Sequence, residues 1–273
     1  MSFNMSVAAV WKKLCFRIPV YIITGCLILY ASGVFAMDNI LFPNGNGKTH
    51  QYPKCGNITL VSGAEKLDAF FHRGRENMPV ILYSHGNGEI LARVKPLLES
   101  FIARGDGVMA DDYAGYGNST GVPGEIQAYR DIDAAYRYLV DKEKIAPQDI
   151  VVMGFSVGSG PSCYLAAKEK VKALVIVSGF ASAAQVILPF SVPLDKFPNA
   201  ERLKNCRVPL LIFHGTGDKI IPIRNGEKLF ASSISPVKEF YRVDAGHNDI
   251  FQRTGGFFRK LEKFLLKIET KKQ

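Results

Sequence analysis

Cysteine is scarce in this 273-residue chain: there are five, and no two stand in a C-x-x-C pair. A zinc ribbon, an iron–sulfur cluster and a thioredoxin-type redox centre are therefore excluded as organising features. The five histidines are just as scattered, with no spacing that sets two metal ligands on one helical turn, so neither a metal nor a cofactor is expected. Tryptophan occurs once, basic residues are not interleaved with aromatics, and no nucleic-acid motif is present, so the net charge of +9 does not point to a nucleic-acid partner. Lys260, Lys263, Lys267, Lys271 and Lys272 read instead as the solvated face of a C-terminal helix. No internal repeat or low-complexity tract is present, and a hydrophobic content of 47% supplies one substantial core. A monomeric domain behind an N-terminal segment is the simplest organisation.

Charge is missing altogether from Ile18 to Met37, a run long enough to cross a bilayer as a helix. Lys12, Lys13 and Arg17 precede it and Asp38 follows; the basic flank stays cytoplasmic, which places the rest of the chain on the far side of the membrane. Residues 1–40 are accordingly expected to be a transmembrane signal anchor and 41–273 a single-pass protein's globular domain on the periplasmic or lumenal side. Other readings stay open. The small residues of Val34-Phe-Ala36 suit signal cleavage and a secreted domain, and Ile23-Thr-Gly-Cys26 has the look of a lipobox. A buried core helix is opposed by Pro19 and the charge asymmetry. A disulfide between Cys55 and Cys206 is permitted in such a compartment, but free buried thiols are the simpler expectation.

Beyond the segment, Asn57–Val61 and Lys66–His72 bracket Ser62-Gly-Ala-Glu65 as a hairpin. Apolar runs at Val80–Ser84, Gly107–Ala110, Ile150–Met153, Ala173–Val177, Pro209–Phe213 and Glu239–Val243 then alternate with stretches of helical periodicity. One such stretch carries Ile90, Leu91, Val94, Leu97, Leu98, Phe101 and Ile102, with Pro96 either starting or kinking the helix. Another carries Ile126, Tyr129, Ile132, Tyr136 and Leu139, and the last carries Phe257, Phe258, Leu261, Phe264, Leu265 and Ile268. Repeated strand–helix alternation with nearly continuous apolar strands predicts a mostly parallel central sheet flanked by helices on both sides.

The stretch Asp149-Ile-Val-Val-Met-Gly-Phe-Ser-Val-Gly-Ser-Gly160 ends a buried strand on a serine boxed by glycines. Gly154 and Gly158 stand where a Cβ would collide in a sharp strand-to-helix turn, and Ser156 stands at its apex. Gly117-Asn-Ser-Thr-Gly121 matches the same pattern, but Val122-Pro-Gly124 follows it in place of a helix, so Ser119 reads as a loop serine. In a parallel sheet, reactive groups belong just past the carboxyl ends of strands. Asp218 follows the strand ending at Phe213, and His247 follows the one ending at Val243.

A serine hydroxyl is a weak nucleophile near neutral pH and needs a neutral imidazole to take its proton, a role that falls to His247. A carboxylate must hold the other ring nitrogen, and Asp218 is expected there, with Asp249 and Asp195 as alternatives. His214 reads as a hydrogen-bonded structural residue, and His50 and His72 as surface positions. Negative charge developing on a substrate oxygen needs backbone donors: the N–H of Val157 and, from the loop His85-Gly-Asn-Gly88, the N–H of Asn87.

With these residues assembled, the chain resembles the α/β-hydrolase superfamily, in its branch of small membrane-anchored serine hydrolases, serine aminopeptidase-like or esterase-like. The resemblance spans about Asn57 to Phe264 and rests on His85-Gly-Asn-Gly88, Asp112-Tyr-Ala-Gly-Tyr-Gly-Asn-Ser119, Gly154-Phe-Ser-Val-Gly158, His214-Gly-Thr-Gly-Asp218 and Gly246-His247. Such relatives commonly carry Arg at the position of Ala114, a departure in a loop that leaves the triad positions intact. The resemblance implies the α/β-hydrolase fold, a Ser156–Asp218–His247 triad, and acyl or ester substrates, including lipids and acylated proteins. Only Ser178 to Val208 is available for a lid, so a minimal lid of one or two short helices is expected. Acyl transfer on the same triad, serine aminopeptidase activity and a non-catalytic scaffold retaining the fold are the competing functions.

Overall fold

The computed structural model describes residues 37–43 and 55–270 except 191 and 194. The apolar run, Cys15, Cys26 and His50 lie almost wholly outside them, as does most of the 1–40 segment. Among the described residues no helix is long and apolar enough to cross a membrane.

The strands are β1 (Ile58–Ser62), β2 (Glu65–His72), β3 (Val80–Ser84), β4 (Gly107–Asp111), β5 (Ile150–Phe155), β6 (Ala173–Val177), β7 (Leu210–Gly215) and β8 (Lys238–Val243), built mostly from β-branched, aromatic and other apolar residues. They make one eight-stranded sheet in the order β1-β2-β4-β3-β5-β6-β7-β8. The β1–β2 hairpin is antiparallel and β2 joins β4 antiparallel; every other pairing is parallel. This is the mostly parallel arrangement expected from the alternating pattern.

Side chains on successive strand positions point to opposite faces, and the two faces build two cores. Leu82, Val152, Leu174 and Ile212 belong to one; Ile81, Tyr83, Val151, Met153, Val175 and Phe213 belong to the other. The first face is covered by α3 (Glu125–Arg137), α4 (Ser159–Lys168), α5 (Asn199–Leu203) and α6 (Arg224–Ser232), the second by α2 (Leu91–Arg104), α7 (Ile250–Arg253) and α8 (Phe257–Thr270). A helical turn over residues 37–41, α1, precedes them.

Two local expectations are corrected. Of the two roles open to Pro96, starting the helix is overturned: α2 begins at Leu91 and Pro96 sits inside it, the helix continuing to Arg104. Ile126, placed on the buried face of α3 by periodicity, is 60% exposed, because α3 begins at the rim of the sheet and only its later turns reach the core. The Ser178–Val208 connection holds a 3-10 turn at Ala184–Val186 and the five-residue α5, the minimal insert expected. Cys55, Cys163 and Cys206 are free, so the permitted Cys55–Cys206 disulfide is absent. Cys206 Sγ instead donates to the Ala166 carbonyl at 3.2 Å.

Candidate active site

The site is built at the carboxyl edge, beside the point where strand order reverses between β3 and β5. At the end of β5 the chain turns through a single 3-10 turn, Ser156–Gly158, into α4. Ser156 has φ of 54°, a left-handed conformation that an L-residue adopts only where surroundings force it. The glycines supply the force: a Cβ on Gly154 would lie 2.3 Å from the Gly158 carbonyl oxygen, and one on Gly158 would lie 2.1 Å from the Ser84 carbonyl oxygen. The same crowding that requires glycine presses the end of β3 against the elbow.

His247 reaches this serine from the loop after β8. Its Nε2 is 2.9 Å from Ser156 Oγ and its Nδ1 is 2.7 Å from Asp218 Oδ2. Asp218, from the loop after β7, is held in turn by the N–H groups of Ile220 and Ile221, which donate to Oδ1 at 2.9 and 2.8 Å. Burial alone would raise the Asp218 carboxyl; the His247 hydrogen bond and charge, helped by the Ile221 N–H, outweigh it and hold the group below the ordinary carboxylate range. The imidazole packs on Phe155, with ring centroids 5.1 Å apart.

The alternative carboxylates are engaged elsewhere. Asp249 accepts from the Gly246 N–H at 2.7 Å and pairs with Arg253 at 3.0 Å, while Asp195 accepts from the Ala184 and Lys196 N–H groups at 2.8 Å. Ser119 is a loop staple: its hydroxyl donates to the Asp112 carbonyl at 2.7 Å and accepts from the Asp68 N–H at 2.9 Å. His214 is fully buried with Nε2 2.8 Å from the Ile221 carbonyl, the structural role expected of it, and burial lowers its pKa. Among the described residues no group of acidic, histidine or cysteine side chains is arranged to hold a metal ion.

The loop after β3 is stiffened by groups that periodicity did not single out. The Gly86 N–H donates to Glu89 Oε2 at 2.6 Å, and the Tyr113 hydroxyl donates to the His85 carbonyl at 2.9 Å. Burial raises the Glu89 carboxyl, opposed by the Gly86 N–H, His247 and Arg93. Glu89 precedes α2, whose N-cap Ile90 has no side-chain cap, so no capping pattern announces this bond in the sequence. Asn87 Nδ2 donates to the Ile40 carbonyl at 3.2 Å, tying α1 to this loop. A cavity of about 550 Å³ opens beside it, lined among others by Asn87, Glu89, Arg93, Phe155, Asn248 and Phe251. It adjoins the positions next to both the serine and the histidine.

Residues 75–199 match the Hydrolase_4 family, described as serine aminopeptidase, S33. Alpha/beta hydrolase domain-containing protein 17B of Homo sapiens is 32% identical over 213 residues, covering 76% of this chain and 74% of the relative. The aho-3 protein of Caenorhabditis elegans, also named an alpha/beta hydrolase domain-containing protein, is 32% identical over 68% of this chain and 57% of its own length. Among solved structures, an alpha-beta hydrolase from Vibrio vulnificus superposes with a TM-score of 0.69 at 18% identity, covering 84% of this chain and 92% of that one. The Pyrococcus furiosus esterase Pf2001 superposes with a TM-score of 0.65 at 17% identity, over 77% and 91%. Identity with the hydrolase domain-containing proteins over most of both chains, together with the shared fold, makes this protein a member of the α/β-hydrolase superfamily of serine hydrolases.

Proposed function

We propose that this serine hydrolase is membrane-anchored and cleaves carboxylic ester, thioester or other acyl bonds through an acyl-enzyme on Ser156. The observation that carries the reading is the unbroken relay from Ser156 Oγ through His247 to Asp218, at 2.9 and 2.7 Å.

In the first half-reaction Ser156 Oγ attacks the acyl carbon while His247 Nε2 takes the hydroxyl proton. Asp218 holds Nδ1–H, selecting the tautomer whose Nε2 is free to accept, and stabilises the imidazolium that results. The carbonyl oxygen becomes an oxyanion, received by the N–H groups of Asn87 and Val157. Collapse of the tetrahedral species breaks the bond to the alcohol, thiol or amine, which leaves with the proton returned from His247. Water then repeats the sequence with His247 as base and releases the carboxylic acid. The loop carrying Asn87 is held by the Gly86–Glu89 and His85–Tyr113 hydrogen bonds, so its donors keep their positions as charge develops.

The short insert over the site and the uncharged Ile18–Met37 run favour an acyl group presented at a bilayer, on a lipid or an acylated protein, over a small solute. The run is read as a single-pass anchor with the catalytic domain on the extracytoplasmic side. The test is a fluorophosphonate probe on the full chain: labelling disappears in Ser156→Ala and persists in Ser119→Ala. Labelling that depends on Ser119 overturns the nucleophile assignment. A panel of esters, thioesters, lipids and peptides then reads the substrate class, and turnover confined to peptides overturns the acyl-ester reading.

A further inference from the structure

We propose that the rim of the catalytic edge is a membrane-docking surface, so that the mouth of the active site faces a lipid bilayer. The inference deepens the reading of a membrane-anchored hydrolase and rests on it.

Large apolar side chains left in water are unevenly distributed over this molecule. Nine are exposed among the described residues, and six of them, Ile40, Val122, Ile126, Ile187, Phe190 and Ile220, lie in segments that follow the carboxyl ends of strands or dock against them. Ile187 and Phe190 are the extremes of the insert, 82% and 59% exposed. Isolated exposed leucines or isoleucines need no explanation; six of nine on one edge of the sheet do.

These residues are fixed to the site by hydrogen bonds. The Ile40 carbonyl is held by Asn87 Nδ2, and the Ile220 N–H donates to the carboxylate of Asp218. The Val186 carbonyl accepts from Arg224 Nη2 at 2.9 Å, which anchors the turn that displays Ile187. Val122 lies in the β4–α3 connection and Ile126 in the first turn of α3, whose Glu125 accepts from the Phe197 N–H at 2.7 Å. These bonds tie the segments that display the apolar side chains to the catalytic edge.

The path of the chain indicates what covers it. Phe42 is buried among Tyr113, Tyr116 and Phe197 on the catalytic edge, and Asp38 pairs with Lys196 and accepts from the Glu125 N–H. Thus α1 docks at this edge, and the 36 residues before it, carrying the uncharged run from Ile18, join the domain here. A bilayer span that ends at Met37 brings the membrane surface against this rim. Isoleucine and phenylalanine then enter the boundary between headgroups and acyl chains, and the exposed Lys219 and Arg224 on the same edge meet lipid phosphates. An acyl chain reaches Ser156 from such a position without first crossing water.

The test uses the full chain in vesicles of phosphatidylcholine and phosphatidylserine with brominated acyl chains, which quench tryptophan on contact. Trp11→Phe removes the native fluorophore, and Phe190→Trp or, as a distant reference ahead of β8, Ile234→Trp supplies one. Emission at position 190 is expected to fall by about half or more, while that at 234 is unchanged. Equal quenching at both positions, or none at 190, overturns the proposal; a blue-shifted but unquenched emission at 190 assigns the rim to the chain's own apolar run or to a second copy. Quenching does not require turnover, so it stands or falls apart from fluorophosphonate labelling. In a second measurement, Ile187→Ser with Phe190→Ser is expected to lower turnover of a vesicle-embedded acyl substrate about tenfold, with turnover of a soluble short-chain ester unchanged. An equal loss on both substrates overturns it.

Discussion

Ser156 Oγ and His247 Nε2 stand 2.9 Å apart although 91 positions separate the two residues. The strands that carry them, β5 and β8, are three places apart in the sheet, which puts the strand ends about 14 Å from one another. The loop after β8 therefore arches back over β6 and β7, and Asp218 rises from β7 behind the imidazole to hold it there. The contact is a product of sheet order, and each strand between the two residues contributes to it.

Replacing the serine removes the proposed nucleophile and leaves the fold intact. Ser156→Ala is expected to lower kcat on the order of 10⁴- to 10⁶-fold with no loss of thermal stability, because the left-handed strain at this position is set by the backbone. Steady-state kinetics beside a thermal melt checks both halves.

Asp218→Asn keeps the shape of the carboxylate but offers the wrong partner to Nδ1, and kcat is expected to fall by roughly 10³- to 10⁴-fold. Asp249→Asn and Asp195→Asn are expected to change kcat by less than about tenfold, since neither touches His247. A pH signature accompanies the first change. Because the folded Asp218 carboxyl is held below its ordinary value, it adds stability above the unfolded value of about 3.9 and loses it as pH falls through the folded value. Melting curves below pH ~4 should therefore be less acid-sensitive in Asp218→Asn than in the parent.

Gly158→Ala places a methyl group 2.1 Å from a backbone oxygen of β3, and backbone cannot step aside as a side chain can. A destabilisation of about 3 kcal/mol or more is expected in chemical denaturation, with loss of fluorophosphonate labelling. A variant that melts with the parent and still labels would refute the steric account of the elbow.

Asp112 and His85 are two buried titratable groups beneath the loop that follows β3. Burial raises Asp112 to about 7 and lowers His85 to about 4, and their side chains approach to 3.7 Å. The acid with the raised value binds its proton more tightly when folded, so its contribution to stability declines as pH rises from about 4 to 7. The histidine with the lowered value does the reverse, losing stability as pH falls from about 6.5 to 4. Asp112→Asn keeps an acceptor for the Leu91 N–H, now bonded at 2.7 Å, but removes the first dependence. Its melting temperature should thus fall more steeply with acidification over pH 6.5 to 4 than the parent's, by on the order of 1 kcal/mol per pH unit in stability.

Glu89→Ala frees the Gly86 N–H and loosens the loop that presents Asn87. A loss in kcat of about tenfold to a hundredfold is expected, with labelling slowed but present, and Glu89→Gln should recover most of it because the amide oxygen still accepts. Equal losses in both variants would assign the carboxylate a different task.

Much of this was legible without coordinates, for reasons that are local. Val80–Ser84 or Ile150–Phe155 can only be buried strands because runs of β-branched residues that short bury themselves on both faces. Gly154 and Gly158 announce a turn no side chain fits, and Asp218 and His247 stand directly after such runs, where a parallel sheet collects its reactive groups.

What depended on which surface meets which was hidden. Periodicity put Ile126 inside, but only packing shows that the first turn of α3 overhangs the rim. The salt bridge between Asp38 and Lys196 joins residues 158 positions apart, and the Gly86–Glu89 bond has meaning only once β3 is pressed against the elbow. By itself the sequence determined the elements and the candidates for chemistry, since propensity and steric exclusion act over a few residues. Tertiary structure alone decided which carboxylate stands behind His247 and where α1 joins the domain, because those contacts exist only when segments remote along the chain are closed into one sheet.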